Sequence, residues 1–259
     1  MSPVSCARRR PRSRAKAIDV LATAVEVERI DRDHPLLQLL VGELLHGERG
    51  PVRDAVLASA KSGAVGVLAQ AVGFLILDLL IPGNRSPNVN HLRLWSGRGI
   101  TPFKIEAFNA GNYAAAVADQ VEAKNLSRVL YPDDSTPQGK ELRFKQQYFC
   151  VSASLQDMLA QHLSERRQLK DLSQAIAIQL NDTHPAMTVV ELMRLLVDVY
   201  DMAWPAAWKI TCETCSYTNH TLLPEALETW PISFFERLLP RHLQIVYQIN
   251  RDFLEIVSA

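Results

Sequence analysis

One stretch constrains the fold more than any other: Ala175-Ile-Ala-Ile-Gln-Leu-Asn-Asp-Thr-His-Pro-Ala186. It opens as a short apolar run with β-branched residues at Ile176 and Ile178, the pattern of a buried strand. At Asn181, Asp182, Thr183 and His184 it turns polar, and Pro185 then opens a segment with helical spacing. Proline fits the first helical turn, where its missing N–H costs nothing. A buried strand that ends in polar residues and feeds a helix belongs to an α/β fold, and ligands in open α/β sheets bind outside the carboxyl ends of the strands. Asp182 and His184, an acid and an imidazole two positions apart at that strand end, are the first candidates for chemistry.

The flanking sequence is mostly helical. Residues 189–200 place Val190, Met193, Leu196 and Val197 on one helical face, and residues 203–214 form a further helix with Pro205 in its first turn. Two more helices, 231–239 and 241–257, are separated by Pro240. Upstream, a long helix from Lys140 to about Leu169 buries Phe144, Tyr148, Val151, Leu155, Leu159 and Leu163 at three- and four-residue steps. Residues 113–124 read as a helix, and residues 89–95 alternate with period two as a half-buried strand does. Turn formers crowd residues 82–87 and 131–139. Residues 18–30 and 36–45 have helical spacing, broken at Gly47-Glu-Arg-Gly-Pro51. No internal repeat is visible. The expected architecture is a mainly helical layer around a few strands.

Composition removes several function classes. Twenty-eight basic residues balance 28 acidic ones, so nothing global points to nucleic acid or an anionic membrane. The first 17 residues are Arg-rich and acid-free and read as a solvated basic tail. Residues 64–81 are apolar apart from Gln70 and Asp78 and just long enough to span a bilayer; Gly63, Gly66, Gly73 and the acid argue for a buried segment instead. Four cysteines make no disulfide framework. Cys212 and Cys215 form a C-x-x-C without the further ligands that zinc needs, so they read as two reduced thiols on a helix.

A second polar loop, Thr218-Asn219-His220-Thr221, competes with the first. If the two converge, Asp182, His184, Asn219 and His220 suit hydrogen bonding to sugar hydroxyls or acid/base work. The competing reading has Asp182 and Thr183 capping the next helix and His220 as a turn residue, and spacing alone favours capping. No phosphate loop, dinucleotide fingerprint or nucleophile elbow is present.

Larger strings then resemble a known family. Gln179-Leu-Asn-Asp-Thr-His-Pro185, Glu191-Leu-Met-Arg194, Tyr217-Thr-Asn-His-Thr221, Leu223-Pro-Glu-Ala-Leu-Glu228 and Leu238-Leu-Pro-Arg-His-Leu-Gln-Ile-Val-Tyr-Gln-Ile-Asn250 resemble the glycogen (α-1,4-glucan) phosphorylases. Ile81-Pro-Gly83, Asn90-His-Leu-Arg-Leu-Trp95, Arg128-Val-Leu-Tyr-Pro132 and Gly139-Lys-Glu-Leu-Arg143 follow in the family's order. The resemblance runs from about Asp78 to the C-terminus.

The resemblance implies a fold and a reaction. It implies part of the Rossmann-like N-terminal domain of a two-domain GT-B glycosyltransferase over residues 71–259, with residues 1–70 unassigned. Members cleave the terminal α-1,4 bond of a glucan with inorganic phosphate, releasing glucose 1-phosphate, and use pyridoxal phosphate in a cleft between two domains. They are cytoplasmic homodimers that need neither nucleic acid nor membrane. Carried over by position, Asp182 and His184 line the glucosyl pocket, Asn219 and His220 hold the glucosyl unit, and Asp133, Asp134 and Ser135 form the active-site gate.

Departures from the family pattern qualify this. Ser135 stands where the family has Asn, and Thr136 and Pro137 replace aromatic gate residues. Ala160 and Gln161 replace paired arginines that bind nucleotide or phosphoserine phosphate in regulated members, which implies that such control is lost. The upstream glycine-rich loop and the C-terminal domain with the Schiff-base lysine are not found. The expectation for this chain alone is therefore no cofactor-binding or metal-binding residue and no certain catalytic one, and no phosphorolysis. A non-catalytic sugar- or partner-binding fragment is the alternative, with exposed apolar surface favouring self-association.

Overall fold

The computed structural model describes residues 16–19, 72–85, 87–220, 222–223 and 227–258. In chain order the strands are β1 (Lys16–Asp19), β2 (Val72–Pro82), β3 (Val89–Gly99), β4 (Ile176–Asn181) and β5 (Cys215–Thr218). The helices are α1 (Ile105–Asn109), α2 (Tyr113–Arg128), α3 (Pro137–Ser164), α4 (Leu172–Ala175), α5 (Met187–Arg194), α6 (Trp204–Thr214), α7 (Ile232–Leu238) and α8 (Pro240–Ser258). A mixed, mostly helical α/β chain results.

The run that opens the sequence reading is the middle strand of a parallel sheet, order β1-β4-β5. Its pleat buries Ile176, Ile178 and Leu180 and leaves the alternate residues half-buried. Parallel neighbours cannot be joined by a tight turn, and α5 and α6 make the crossover from β4 to β5. The α3 stripe packs on them: Phe144, Tyr148, Val151, Leu155 and Leu159 are buried with Ile178, Met193, Leu196 and Ile210. Leu163 is only half-buried, because α3 stops at Ser164, short of the expected Leu169.

Four local expectations change. Lys16–Asp19 is a strand paired parallel to Ile176–Gln179, not the end of a basic tail or the start of a helix. A strand's free edge demands backbone partners, a long-range need that local periodicity does not register. Val72–Pro82, the described part of the run expected as a buried segment, is likewise a strand, antiparallel to Val89–Gly99, and its end is exposed at Leu80 and Ile81. A continuous apolar run suits either element, and the turn with Gly83 N–H on the Asn88 carbonyl (2.9 Å) folds it back on itself. Among the described residues no helix is long and apolar enough to cross a membrane. Cys215 opens β5 and only Cys212 is helical. The helix after β4 starts at Met187 with no side-chain cap, so Asp182 and Thr183 are not caps. The helical segments expected at 20–30 and 36–45, the tail at 1–15, residues 64–71 and Cys6 lie outside the described residues.

A sealed ionic cluster fastens the helical layer. Arg194 donates to the Glu191 carboxylate through Nε (2.7 Å) and Nη2 (2.9 Å). Ser152 Oγ from α3 and His242 Nε2 from α8 complete it, each at 2.7 Å. Burial alone pushes the Glu191 carboxyl up, but the Arg194 charge and hydrogen bonds and His242 hold it well below the usual carboxylate range.

Candidate functional site at the carboxyl ends of two parallel strands

The β4–β5 register sets Asn181 beside Thr218, so the two polar loops leave the sheet at one edge. Their convergence, conditional in the sequence, is a consequence of strand pairing. Asp182 N–H donates to the Thr218 carbonyl at 2.8 Å, and Asp182 Oδ1 accepts the His220 N–H at 2.8 Å. His220 Nε2 reaches Asn181 Oδ1 at 3.2 Å. Asp182 thus acts as a splint between loops. It does so with φ of 58°, a left-handed conformation that Asp tolerates better than most residues. Asn219 is exposed on the same loop.

His184 is held by a group that spacing did not single out. Its Nδ1 donates to Glu228 Oε2 at 3.0 Å, since an ionised carboxylate only accepts. Glu228 also accepts from Thr183 Oγ1 (3.1 Å), Arg143 Nη2 (2.7 Å) and Gln147 Nε2 (2.9 and 3.1 Å). Burial pushes this carboxyl up, but the hydrogen bond and charge of His184, with Arg143 and Gln147, outweigh it and leave it below the ordinary range. Tyr131 lies edge-on to His184, ring centres 5.0 Å apart, and under the Arg143 guanidinium. Its φ of 50° is strained for a bulky residue, at about 1–3 kcal/mol. Gln146 holds it there, accepting the Tyr131 N–H at 3.1 Å while donating to the Leu126 and Val129 carbonyls. Burial raises the Tyr131 hydroxyl's pKa, and the Glu228 charge adds to the rise.

Arg143 joins the expected gate to this site. Its Nη1 donates to Asp134 Oδ2 at 2.8 Å while Nη2 holds Glu228. Asp133 accepts from both the backbone and the hydroxyl of Ser135, at 2.9 Å each, so the loop is folded on itself. Thr136 then caps α3 by accepting the Gly139 N–H. Only glycine fits at 139, because a Cβ there would collide with the Asp133 carbonyl. Ser135, Thr136 and Pro137 therefore serve the turn and the helix start.

Tyr131, Arg143, Gln147, Cys150 and His184 line a shallow cleft between α3 and the β4 loop. Arg143 and Glu228 close two of the family-like strings, which is the one signal that could have found them. No cluster of three metal-ligating side chains occurs among the described residues. No lysine whose side chain is described lines the cleft, and Lys145, the least exposed of them, is paired with Glu122 and Glu141. Among the described residues, none that lines this cleft could form a Schiff base with pyridoxal phosphate.

Comparison with known proteins agrees with the strings. The carbohydrate phosphorylase family model matches residues 51–259, further upstream than the strings themselves. The chain is 49% identical over 205 residues to the brain form of glycogen phosphorylase of Mus musculus, covering 76% of this chain and 24% of that protein. The Homo sapiens brain form is 50% identical over 198 residues (73% and 24%), and the Homo sapiens muscle form 49% over 205 (76% and 24%). The chain thus spans about a quarter of the length of these relatives. On the match over most of its length, this chain belongs to the carbohydrate phosphorylase family.

Proposed function

We propose that this chain supplies the glucosyl-facing wall of an α-1,4-glucan phosphorylase, a glycosyltransferase that splits glucan with inorganic phosphate to give glucose 1-phosphate. One observation carries the reading: parallel pairing of β4 and β5 brings Asp182, His184, Asn219 and His220 to one strand edge, tied by the Asp182–His220 bond. Hydroxyl-rich ligands are recognised by such fixed donors and acceptors. Asp182 and His184 are not a proton-transfer pair here, since each is engaged elsewhere, with His220 and Glu228 respectively. The Asp133, Asp134 and Ser135 loop, linked through Arg143, forms the rim. The parallel sheet with its crossover helices supports a Rossmann-like domain of GT-B type, and family membership supports a cytoplasmic setting.

The 259-residue chain by itself binds maltooligosaccharide without turning it over. Calorimetric titration is expected to show binding that His220→Ala or Asp182→Ala weakens roughly tenfold, the worth of about one hydrogen bond. Glucose 1-phosphate formed by the chain with glucan, phosphate and pyridoxal phosphate overturns the non-catalytic reading, and no sugar binding overturns the pocket. The exposed Phe253, Leu254, Ile256 and Val257 at the end of α8 support self-association. Size exclusion should give more than a monomer mass, and a monomer at every concentration refutes this.

A further inference from the structure

The C-x-x-C that the proposed function leaves unused sits at a defined place. Cys212 lies in the last turn of α6 and Cys215 is the first residue of β5. Both are thiols. The backbone N–H of Cys215 still bonds the Thr211 carbonyl, so the helical path extends up to it although its own ψ of 140° is extended. Residues three apart on such a path have Cβ atoms on the order of 5–6 Å apart. That lies slightly beyond the roughly 3.5–4.5 Å of a disulfide, whereas the corresponding Cα spacing is within its range. Closing the gap therefore requires the final turn to unwind slightly.

The two thiols differ in access. Cys212 is exposed, while Cys215 is half-buried and packs against the core. This is the division between an attackable thiol and a resolving one. Among the described residues the one other cysteine, Cys150, also a thiol, lies on α3.

We propose that Cys212 and Cys215 form a thiol–disulfide exchange site for small-molecule disulfides, closing reversibly into an intrachain bond at the root of β5. The Cys212 thiol loses its proton and its sulfur attacks one sulfur of the reagent, forming a mixed disulfide and expelling one thiolate. The Cys215 thiol then loses its proton and attacks the Cys212 sulfur, expelling the bound half as a second thiolate. The two protons end on the two released thiols. The chain is oxidised by two electrons and one reagent disulfide is reduced to two thiols. The bond would stand at the start of the strand whose far end leads into the His220 loop.

The test is titration of the full chain with oxidised and reduced glutathione, followed by acid quench, alkylation and mass analysis of the peptide carrying both cysteines. The expected result is loss of two hydrogens with no adduct, reversed by excess reduced glutathione. In Cys215→Ser the glutathione adduct should accumulate on Cys212. In Cys212→Ser, the adduct at Cys215 should form at least roughly tenfold more slowly, because burial, the larger cause of the raised Cys215 pKa, is still in place. A stable Cys212 adduct in the unmutated chain overturns the proposal, as does absence of any reaction at either sulfur. The unmutated chain decides the matter even where a variant folds poorly.

Discussion

Glu191 and Glu228 each gather one arginine and one histidine, yet the Glu191 side chain is fully sealed and Glu228 keeps 11% exposure beside an open cleft. In the first cluster Arg194 has no exposure and His242 has 2%. In the second, Arg143 keeps 19% and His184 25%. The sealed cluster joins helices α3, α5 and α8, and its charges answer mainly to each other. The open one joins segments that also bear the candidate sugar groups and the loop at residues 133–135. The same chemistry thus fastens the fold in one place and orients a surface in the other, and solvent access separates the roles.

The largest effect tests the sealed side. Glu191→Ala strands a buried guanidinium and should cost about 3–5 kcal/mol, read as a lower denaturant midpoint. A loss below about 1 kcal/mol would erase the contrast. Glu228→Ala should cost less, about 1–3 kcal/mol, because water can reach Arg143 and His184. It should also loosen the loop at residues 133–135, seen as faster amide exchange around Asp133 and Asp134. A stability loss equal to that of Glu191→Ala would show that exposure does not separate the two clusters.

Acid separates them more finely. Both carboxyls sit below their ordinary range when folded, so each binds its proton more readily in the unfolded chain. Their contributions are therefore fully present above the unfolded value of about 4.3 and fade as pH falls through the folded one. The unmutated chain should lose stability below about pH 5, and Glu228→Gln should show a shallower decline. Equal slopes for the two proteins in melts from pH 6 downward would remove Glu228 from this account.

Several of these features were legible before the structure. The apolar run ending in Asn181, Asp182, Thr183 and His184 announced a strand feeding a helix, and the α3 stripe announced a buried helix face. Both signals are local, carried by period and polarity. The Glu228 hub escaped because Thr183, Arg143 and Gln147 reach it from 45, 85 and 81 positions away, and no spacing rule covers that range. β5 escaped because four residues with a mostly exposed face show no period.

The sequence by itself determined the family, the principal helices, the central strand and the polar residues at its end. Each follows from side chains acting on near neighbours or from strings that stand in the chain as written. Tertiary structure decided that residues 72–82 turn back as a strand, that β1 and β5 flank β4, and that Asp182 bridges loops rather than capping a helix. Those outcomes rest on backbone hydrogen bonds and buried charges whose partners lie far apart in the chain. Such groups acquire their roles only when folding excludes water and leaves each one the partners that remain.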